Sequence, residues 1–324
     1  MKYVPFGRTG VSVSQMCLGT MMFGGRCDEK EADAIVGTAL ERGVNFLDTA
    51  AMYVEGKTEE ILGRILKGRR DKFFITTKVH RGVDGATIGT SIDESLARLK
   101  TDHVDLYMIH WPAARMNPTE MMEALNSVVV AGKTRFVGFC NCPAWLFAHY
   151  NRIAAQNGWA ELVCNQVPYN LLERGIEVEV LPQAEAEGIA ITTYRPISAG
   201  LLAGKYLPGQ PLPTDARGQT DQRLGAWLDK YGDGIGKLLA MAKDMSVAPG
   251  HLSTAWVYGH PGVTAPIVGV SSLSQTSSAI DGFDLTLTGE QRERLTGFFD
   301  TAVKEEAGGR FPELRRVGNL VAGA

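Results

Sequence analysis

The sequence predicts an α/β protein that forms one closed (β/α)8 barrel of the TIM type, and three observations favour this class. Apolar strand-like runs of about five residues alternate with helical stretches of about ten or more, as expected for βα units built on a parallel sheet. Eight such units fit into about 280 residues, a usual size for this barrel. The G-x-G-x-x-G sequence that marks the dinucleotide site of an open, doubly wound sheet does not follow the first strand.

The elements of this fold can be placed along the chain in order. Residues 1–16 alternate polar and apolar side chains around Arg8-Thr9-Gly10, which predicts an N-terminal β-hairpin ahead of the barrel. The eight barrel strands are predicted near residue 17 and at residues 44–47, 73–77, 104–109, 135–139, 162–166, 189–193 and 265–268. The first helices are predicted at residues 29–42, 58–66, 88–99, 119–130, 143–156 and 177–187, and two more after residue 235. Loop-forming glycines that follow several helices support this order.

One connection is much longer than the others. Residues 195–264 lie between the seventh and eighth strands and are rich in proline and glycine, among them Gly225, Gly232 and Gly234. A long loop inside a compact domain is usually functional or mobile. We therefore predict a long loop after strand 7, chiefly over residues 207–235, that contributes to the site.

The C-terminal part of the chain adds elements to the barrel. A helix is predicted at residues 273–280, and an extra C-terminal helix at 288–303 begins with the capping-box sequence Thr288-Gly289-Glu290-Gln291. Residues 305–324 are predicted to form a loosely structured tail that can fold over the barrel mouth. The whole chain, 1–324, is interpreted as a single domain.

Composition and charge argue against some classes of binding partner. The net charge is −3 and basic residues are scattered, so neither nucleic acid nor an anionic membrane is indicated as a partner. No apolar stretch reaches the length of a membrane span, and the N-terminus lacks the apolar region of a signal peptide. We expect a cytoplasmic protein, monomeric or a weak homo-oligomer, that acts on a small molecule. The five cysteines show no C-x-x-C spacing and the histidines no metal-binding pattern, which predicts reduced thiols and no metal site.

The predicted site is organised around a carboxylate at the end of a buried strand. Asp48 follows an apolar run, and burying its charge is costly unless a cation pairs with it. Lys78 ends the next strand. If the two strands are parallel neighbours, both charges and Tyr53 converge at one rim of the barrel. Because an ammonium group favours the phenolate form, we expect Lys78 to lower the pKa of Tyr53 and to make it a candidate proton donor.

Polar residues recur where the strands end, at the rim that carries the active site in barrels of this class. They are Thr20, Asp48, Lys78, His110, Asn141, Gln166 and Tyr194. Taken singly, Asp48 could cap a helix, Lys78 could be a surface residue and His110 could be a core residue. Taken together they predict a polar ring. The two amides can bind another amide, and the ring of the tyrosine can stack on a flat heterocycle.

Several segments also match a known family in order. They are Gly7-Arg8-Thr9-Gly10, Leu18-Gly19-Thr20, Phe46-Leu47-Asp48-Thr49-Ala50-x-x-Tyr53, Thr58-Glu59-x-x-Leu62-Gly63, Thr77-Lys78, Asp105-x-Tyr107-x-Ile109-His110, Gln166-x-x-Tyr169-Asn170-Leu171-Leu172 and Gly200-Leu201-Leu202-x-Gly204-Lys205-Tyr206. From about residue 3 to residue 300 the chain resembles the aldo-keto reductases. The resemblance is closer to the bacterial branch and to the potassium-channel β-subunits.

The resemblance implies a barrel that binds NADPH across its rim and transfers hydride between the nicotinamide and a carbonyl. It implies Tyr53 as the general acid, Lys78 and Asp48 as its charged partners and His110 as the residue that orients the carbonyl oxygen. The implied cofactor-binding residues are Gly19, Thr20, Met21, Asp48, Cys140, Asn141, Gln166, Tyr194, Arg195, Pro196, Ile197, Gly200, Leu201, Lys205, Arg217, Gly269, Ser271 and Gln275.

Substrate-binding residues are predicted around the same opening. They are Tyr53, His110, Phe23 and Trp111, with Met22, Met52, His80 and Trp145 extending an apolar mouth. Such a mouth suits aromatic or alicyclic carbonyls at least as well as sugars.

Four residues, at three sites, depart from the family pattern. Cys140 stands where a serine is usual, Ser271 where many members have the arginine that pairs with the 2′-phosphate, and Ser278-Ala279 where a Glu-Asn pair would hold the adenine. A neutral contact is weaker than a bidentate cation contact, so NADH is an alternative to NADPH. The alternative to a reductase is a regulatory subunit similar to the channel β-subunits, which can keep the same site residues.

Overall fold

The structure is a computed structural model of the 324-residue chain, and it describes residues 1–79, 84–113, 116–207, 210 and 223–299. Its strands are β1 (Tyr3–Pro5), β2 (Ser12–Ser14), β3 (Cys17–Gly19), β4 (Phe46–Asp48), β5 (Phe74–Lys78), β6 (Val104–Ile109), β7 (Thr134–Cys140), β8 (Leu162–Pro168), β9 (Ala190–Tyr194) and β10 (Ala265–Gly269). Strands β3 to β10 form a closed parallel barrel in the order β10-β3-β4-β5-β6-β7-β8-β9. The predicted fold class is confirmed.

Helices alternate with these strands and cover the barrel. They are α1 (Glu29–Glu41), α2 (Lys57–Ile65), α3 (Gly85–Leu99), α4 (Pro118–Val130), α5 (Ala144–Asn157), α6 (Val180–Glu187), α7 (Arg223–Asp244), α8 (Pro249–Tyr258), α9 (Leu273–Asp281) and α10 (Gly289–Gly297). None of the helices in the described ranges is long and apolar enough to cross a membrane.

Helix starts differ from the sequence-based expectation where side chains decide them. Helix α3 begins three residues earlier than predicted, because the side chain of Asp84 accepts a hydrogen bond from the amide of Thr87 and caps the helix. Helix α6 begins later than predicted, at Val180. The Glu177 side chain instead accepts hydrogen bonds from Tyr169 and Arg174 in a preceding 3-10 turn.

The long connection after β9 contains more helix than predicted. Helix α7 begins at Arg223, so the prediction of a loop up to residue 235 is wrong for this part. Gly225, Gly232 and Gly234 lie within the helix, where a glycine costs only about 1 kcal/mol. Gly234 also permits a close approach, since a Cβ there would lie 2.5 Å from the carbonyl oxygen of Phe298.

The C-terminal helix agrees with its predicted start. Thr288 and Gln291 form the expected capping box at the start of α10. The predicted continuation of this helix to residue 303 and the predicted tail at residues 305–324 lie outside the described residues.

The predicted N-terminal hairpin is confirmed and closes the amino end of the barrel. Strands β1 and β2 pair antiparallel. Phe6 packs against Phe46 and Phe74 with ring centroids 5.7 and 4.8 Å apart, and all three belong to the apolar cluster inside the barrel. Because apolar side chains fill this end, the polar strand ends are gathered at the opposite, carboxyl rim.

All five cysteines are buried and free, in agreement with the prediction of reduced thiols. Burial raises the pKa of every one of these thiols, to about 11 for Cys27 and to about 12 for Cys164. The thiolate is the reactive form of cysteine, so these side chains act as small apolar packing groups.

The close contact between α2 and α3 leads to a prediction about the stability of a Gly63 variant. Replacing a helical glycine with alanine normally stabilises a helix by about 1 kcal/mol. A Cβ at Gly63 of α2 would overlap the carbonyl oxygen of Arg98 in α3, so we expect Gly63→Ala to lower the free energy of unfolding by about 1–3 kcal/mol. Urea denaturation measures this change. Gly236→Ala in α7, where nothing lies within 4 Å of the added carbon, is the control and should be neutral or stabilising. An unchanged or raised stability for Gly63→Ala would contradict the close packing.

Candidate active site

An ion pair at the carboxyl ends of β4 and β5 forms the centre of the candidate site. The two strands are parallel neighbours, as predicted. Lys78 Nζ donates hydrogen bonds to Asp48 Oδ1 and to the carbonyl oxygen of Thr49, each at 2.7 Å. The Lys78 side chain is fully buried and that of Asp48 is 3% exposed. Burying two charges is tolerated only with this kind of close pairing and further hydrogen bonds.

A third strand supplies one of those further hydrogen bonds. Gln166, in β8 on the far side of the barrel, donates from Nε2 to Asp48 Oδ1 at 2.8 Å. The backbone of Asp48 is held too, because Thr20 Oγ1 donates to its carbonyl oxygen at 2.9 Å. Side chains from β5 and β8 therefore meet at the carboxylate of Asp48, and a side chain from the end of β3 holds its backbone.

Tyr53 joins the ion pair from a short 3-10 helix, Tyr53–Gly56, that precedes α2. Lys78 Nζ donates to Tyr53 Oη at 3.3 Å, and Tyr53 Oη lies 3.5 Å from Asp48 Oδ2. The tyrosine is partly exposed, whereas the two charged groups below it are buried. The structure thus brings together the phenol, ammonium and carboxylate that the sequence placed at a common rim.

The expected lowering of the pKa of Tyr53 is not found. Burial raises the pKa of this phenol above its usual value, Lys78 offsets only part of that rise, and Asp48 adds to it. For Lys78, burial alone would lower the pKa, but the nearby Asp48 and Tyr53 raise it overall. At neutral pH the site therefore holds a protonated phenol beside a charged ammonium.

His110 lies near the ring of Tyr53. Its ring lies 6.1 Å from that of Tyr53 between centroids, at 75°, and 6.1 Å from the ring of Trp111, nearly parallel to it. His110 is partly exposed, and Trp111 is 51% exposed. A phenol hydroxyl and an imidazole therefore border the same open part of the rim.

A second pair of predicted residues is linked by hydrogen bonds. Tyr194 Oη, at the end of β9, donates to Asn141 Oδ1 at 2.7 Å. Asn141 Nδ2 donates to the carbonyl oxygen of His110 at 3.4 Å. Asn141 follows β7 with a φ of 61°, a left-handed conformation that asparagine tolerates better than most residues. These contacts fix the relative positions of the ends of β6, β7 and β9.

The segment after β9 has an unusual backbone and a buried hydroxyl. Arg195, Ser198, Ala199 and Gly200 all have positive φ, around a 3-10 helix at Ser198–Ala203. Ser198 Oγ is buried and has no hydrogen-bond partner among the described residues. A buried polar atom normally has a partner, so this hydroxyl suits a polar ligand such as the phosphates of a dinucleotide.

The remaining predicted cofactor residues divide by exposure. Buried ones are Gly19, Cys140, Pro196 and Leu201, partly exposed ones are Ile197 and Ser271, and exposed ones are Met21, Lys205, Gly269 and Gln275. Gln275 already accepts a hydrogen bond from the amide of Ser271 at 2.9 Å. Arg217 and His80 lie outside the described residues.

One predicted substrate contact needs correction. Phe23 is fully buried and belongs to the core between barrel and helices, so its ring does not face the opening. The chain folds back at this point, where Thr58 Oγ1 donates to the carbonyl oxygen of Phe23 at 2.9 Å. Among the exposed large apolar side chains, Met21, Met52 and Trp111 lie on segments that follow barrel strands, and Trp145 lies in the first turn of α5.

Glu59, a fully buried carboxylate close to the Tyr53 turn, is not among the site residues predicted from the sequence. It lies on the inward face of α2, together with the buried residues Thr58, Ile61 and Leu62. Buried acidic residues are rare unless they are paired. The pattern indicates a partner but does not identify it.

The arrangement suits proton transfer to a polarised oxygen. It combines a neutral phenol, a fixed cation and an imidazole at an open, partly apolar rim. In the part of the chain that the structure describes, no group of three His, Cys, Asp or Glu side chains could hold a metal ion.

Comparisons with known proteins agree with this geometry. A model of the "Aldo/keto reductase family" matches residues 15–299. The uncharacterized oxidoreductase YrpG of Bacillus subtilis is 34% identical, with 92% of this chain and 96% of the relative covered. Aldo-keto reductase YhdN of the same organism is 29% identical, covering 96% and 97% of the two chains. A probable voltage-gated potassium channel subunit beta of Oryza sativa is also 29% identical, covering 88% and 92%.

The buried ion pair makes a prediction for stability. Lys78→Met leaves Asp48 buried without its cation, and we expect the free energy of unfolding to fall by about 3–5 kcal/mol at neutral pH. Because the pKa of folded Lys78 is raised above its ordinary value of 10.5, the stabilisation is complete below that pH and is lost as the pH rises further. Urea denaturation at several pH values measures both effects.

Two controls distinguish the effect of breaking the Asp48–Lys78 ion pair from the effect of removing any lysine side chain. Lys67→Met makes the same substitution at an exposed position, and it should change the free energy of unfolding by less than about 0.5 kcal/mol. Adding Asp48→Asn to Lys78→Met should recover part of the loss, with a coupling energy above about 1 kcal/mol. Additive effects of the two substitutions would show that the pair does not stabilise the fold.

Proposed function

Because the chain belongs to the aldo/keto reductase family, we propose that it is an NADPH-dependent reductase that reversibly converts an aldehyde or ketone to the alcohol. The observation that carries the proposal is the convergence of Tyr53, Lys78, Asp48 and His110 at an open rim, with Tyr53 Oη held 3.3 Å from Lys78 Nζ. Relatives named as reductases support it, among them versiconal hemiacetal acetate reductase of Aspergillus parasiticus, which is 30% identical.

In the proposed reaction the hydride and the proton come from two different donors. A bound nicotinamide cofactor supplies the hydride that adds to the carbonyl carbon. Tyr53 donates its phenolic proton to the carbonyl oxygen, on which negative charge develops in the transition state. Lys78 stabilises the phenolate that remains, and Asp48 keeps Lys78 charged and in place. His110 supplies a second polar group that orients the carbonyl oxygen.

The cofactor residues present fit a nicotinamide dinucleotide. Asn141 and Gln166 carry the donors and acceptors that a carboxamide needs, and the ring of Tyr194 offers a face for the nicotinamide. The hydroxyl of Ser198, which has no hydrogen-bond partner in the part of the chain that the structure describes, and the left-handed backbone around it suit the phosphates. NADPH is the proposed cofactor. The neutral Ser271, where the family resemblance implies an arginine, leaves NADH as the second choice.

The exposed apolar residues of the rim favour one class of substrate. Met21, Met52, Trp111 and Trp145 are each between 44 and 51% exposed. Large apolar side chains that remain exposed around a polar centre commonly mark a ligand-binding surface. We therefore propose aromatic or alicyclic carbonyls ahead of sugars.

A nucleotide-binding regulatory role is the second candidate. It is favoured by the similarity to probable potassium channel β-subunits of rice and Arabidopsis thaliana, each 29% identical. The two candidates differ in turnover, since a regulatory subunit needs the nucleotide but not a fast proton donor.

Turnover with a carbonyl panel tests the reductase. We expect NADPH oxidation with aromatic aldehydes and cyclic ketones, measured by the loss of NADPH absorbance. Tyr53→Phe removes the proton donor and should lower kcat by about 10²-fold or more, with NADPH affinity unchanged. Tyr3→Phe, the same substitution on the exposed part of the hairpin, is the control. Undiminished activity in Tyr53→Phe would exclude this residue as the acid.

Measurements of cofactor binding test the proposed NADPH site independently of turnover. NADPH at about 100 times its Kd should stabilise the folded protein by about 2.7 kcal/mol, seen as a rise in Tm. We expect a smaller rise with NADH at the same concentration. Tyr194→Ala should weaken binding of both cofactors, because it removes the stacking face and the hydrogen bond to Asn141. If neither cofactor raises Tm or quenches tryptophan fluorescence, the dinucleotide site is wrongly assigned.

A further inference from the structure

Glu59 is a fully buried carboxylate that the proposed chemistry does not use. It lies in the first turn of α2, only three residues after the 3-10 helix that carries Tyr53. Its Oε1 accepts a hydrogen bond from Thr77 Oγ1 at 2.5 Å, and its Oε2 accepts one from Arg98 Nε at 2.7 Å. The carboxylate therefore joins α2 to β5 and to α3 at a single point.

The contact with Thr77 lies directly behind the catalytic lysine. Thr77 and Lys78 are consecutive residues of β5, and successive side chains of a strand point to opposite faces. Lys78 points into the barrel toward Asp48, while Thr77 points outward to α2. Through Thr77, Glu59 holds the backbone of β5 at the position from which Lys78 extends.

The contact with Arg98 braces the turn that carries Tyr53. Val54, Glu55 and Gly56 all have positive φ, a strained run for the two that carry a Cβ. Arg98 lies against this turn, because a Cβ at Gly56 would be 3.0 Å from Arg98 Cδ and 3.2 Å from its Nε. Such strained backbone persists only when its surroundings hold it. The Glu59 carboxylate keeps the Arg98 side chain in that place.

We propose that Glu59 is a positioning residue that sets the distance between Tyr53 Oη and Lys78 Nζ. It does so by fixing both supports at once, the Tyr53 turn through Arg98 and the Lys78 strand through Thr77. This inference rests on the proposed reductase function for its kinetic consequence. Its structural consequence, a turn whose order depends on Glu59, can be measured without turnover.

Glu59→Gln tests the proposal with little change in shape. The amide oxygen keeps one acceptor but the charge that binds Arg98 is lost. We expect kcat to fall about tenfold or more, since a displacement of about 1 Å at a reacting group can cost about 10²-fold. The Kd for NADPH, measured by fluorescence titration, should stay within about twofold, because Glu59 is fully buried and is not one of the proposed cofactor-binding residues.

Asp105→Asn is the matched control. Asp105 is also a buried carboxylate that pairs with arginines, at 2.9 Å from both Arg70 and Arg135. It also accepts a hydrogen bond from the amide of Ile75 in β5, but these contacts lie at the amino ends of β5 and β6, away from Lys78 and the Tyr53 turn. We expect both variants to lower Tm, and only Glu59→Gln to lower kcat. Equal kcat losses in the two variants would reduce Glu59 to a general stabiliser and overturn the proposal.

Thr77→Val provides a second test if Glu59→Gln folds poorly. It removes only the hydroxyl that donates to Glu59, and it should lower kcat about threefold to tenfold. Thr134→Val is its control, because Thr134 is equally buried, begins β7 at the opposite end of the barrel and also loses one hydrogen bond, that to the carbonyl oxygen of Phe136. Wild-type kcat in a folded Thr77→Val would contradict the proposed link to Lys78.

Hydrogen exchange separates this inference from the proposed function. In Glu59→Gln we expect faster amide exchange at residues 51–57 than in wild type, and no such change there in Asp105→Asn. If wild type shows no carbonyl reduction but this local change is found, the reductase proposal fails and the positioning of the turn stands. Unchanged exchange at residues 51–57 would overturn the positioning role whatever the activity.

Discussion

The buried ion pair between Asp48 and Lys78 is the interaction on which the rest of the site depends. Two charges inside a barrel are tolerated only if their geometry is close and their remaining hydrogen-bonding groups are satisfied. Those requirements bring Gln166 across the barrel to Asp48, and they place the Thr49 carbonyl and the Tyr53 hydroxyl around the ammonium group. The pair therefore couples the closure of the barrel to the position of the phenol. A change in strand order would separate the charges and dismantle the site.

Much of the barrel was predictable because strand and helix periods are local properties of the sequence. The strand at residues 104–109 was placed without error, and the capping box at Thr288 predicted the start of α10. The errors come from contacts between distant residues. Gly234 was interpreted as part of a loop, but it lies inside α7, where its lack of a Cβ permits the close approach of Phe298. No local pattern carries that information.

The candidate site also has features that the sequence predicted and features that required the structure. Its residues could be found because each follows a strand, and parallel strands end at one rim. The direction of the Tyr53 pKa shift could not be predicted from the sequence. It depends on whether burial of the phenol, which raises the pKa, outweighs the charge of Lys78, which lowers it. Phe23 was predicted to line the apolar opening, yet the structure buries it fully. The partners of Glu59, at positions 77 and 98, likewise required the structure.

The buried thiols have a practical consequence for studying the molecule in solution. None of the five cysteines is more than about 1% exposed, and burial keeps each thiol protonated. A single cysteine introduced on the surface would therefore react with maleimide dyes far faster than any native one. Fluorophores or spin labels can be attached site by site, without first removing native sulfur, to follow how the rim responds to ligands.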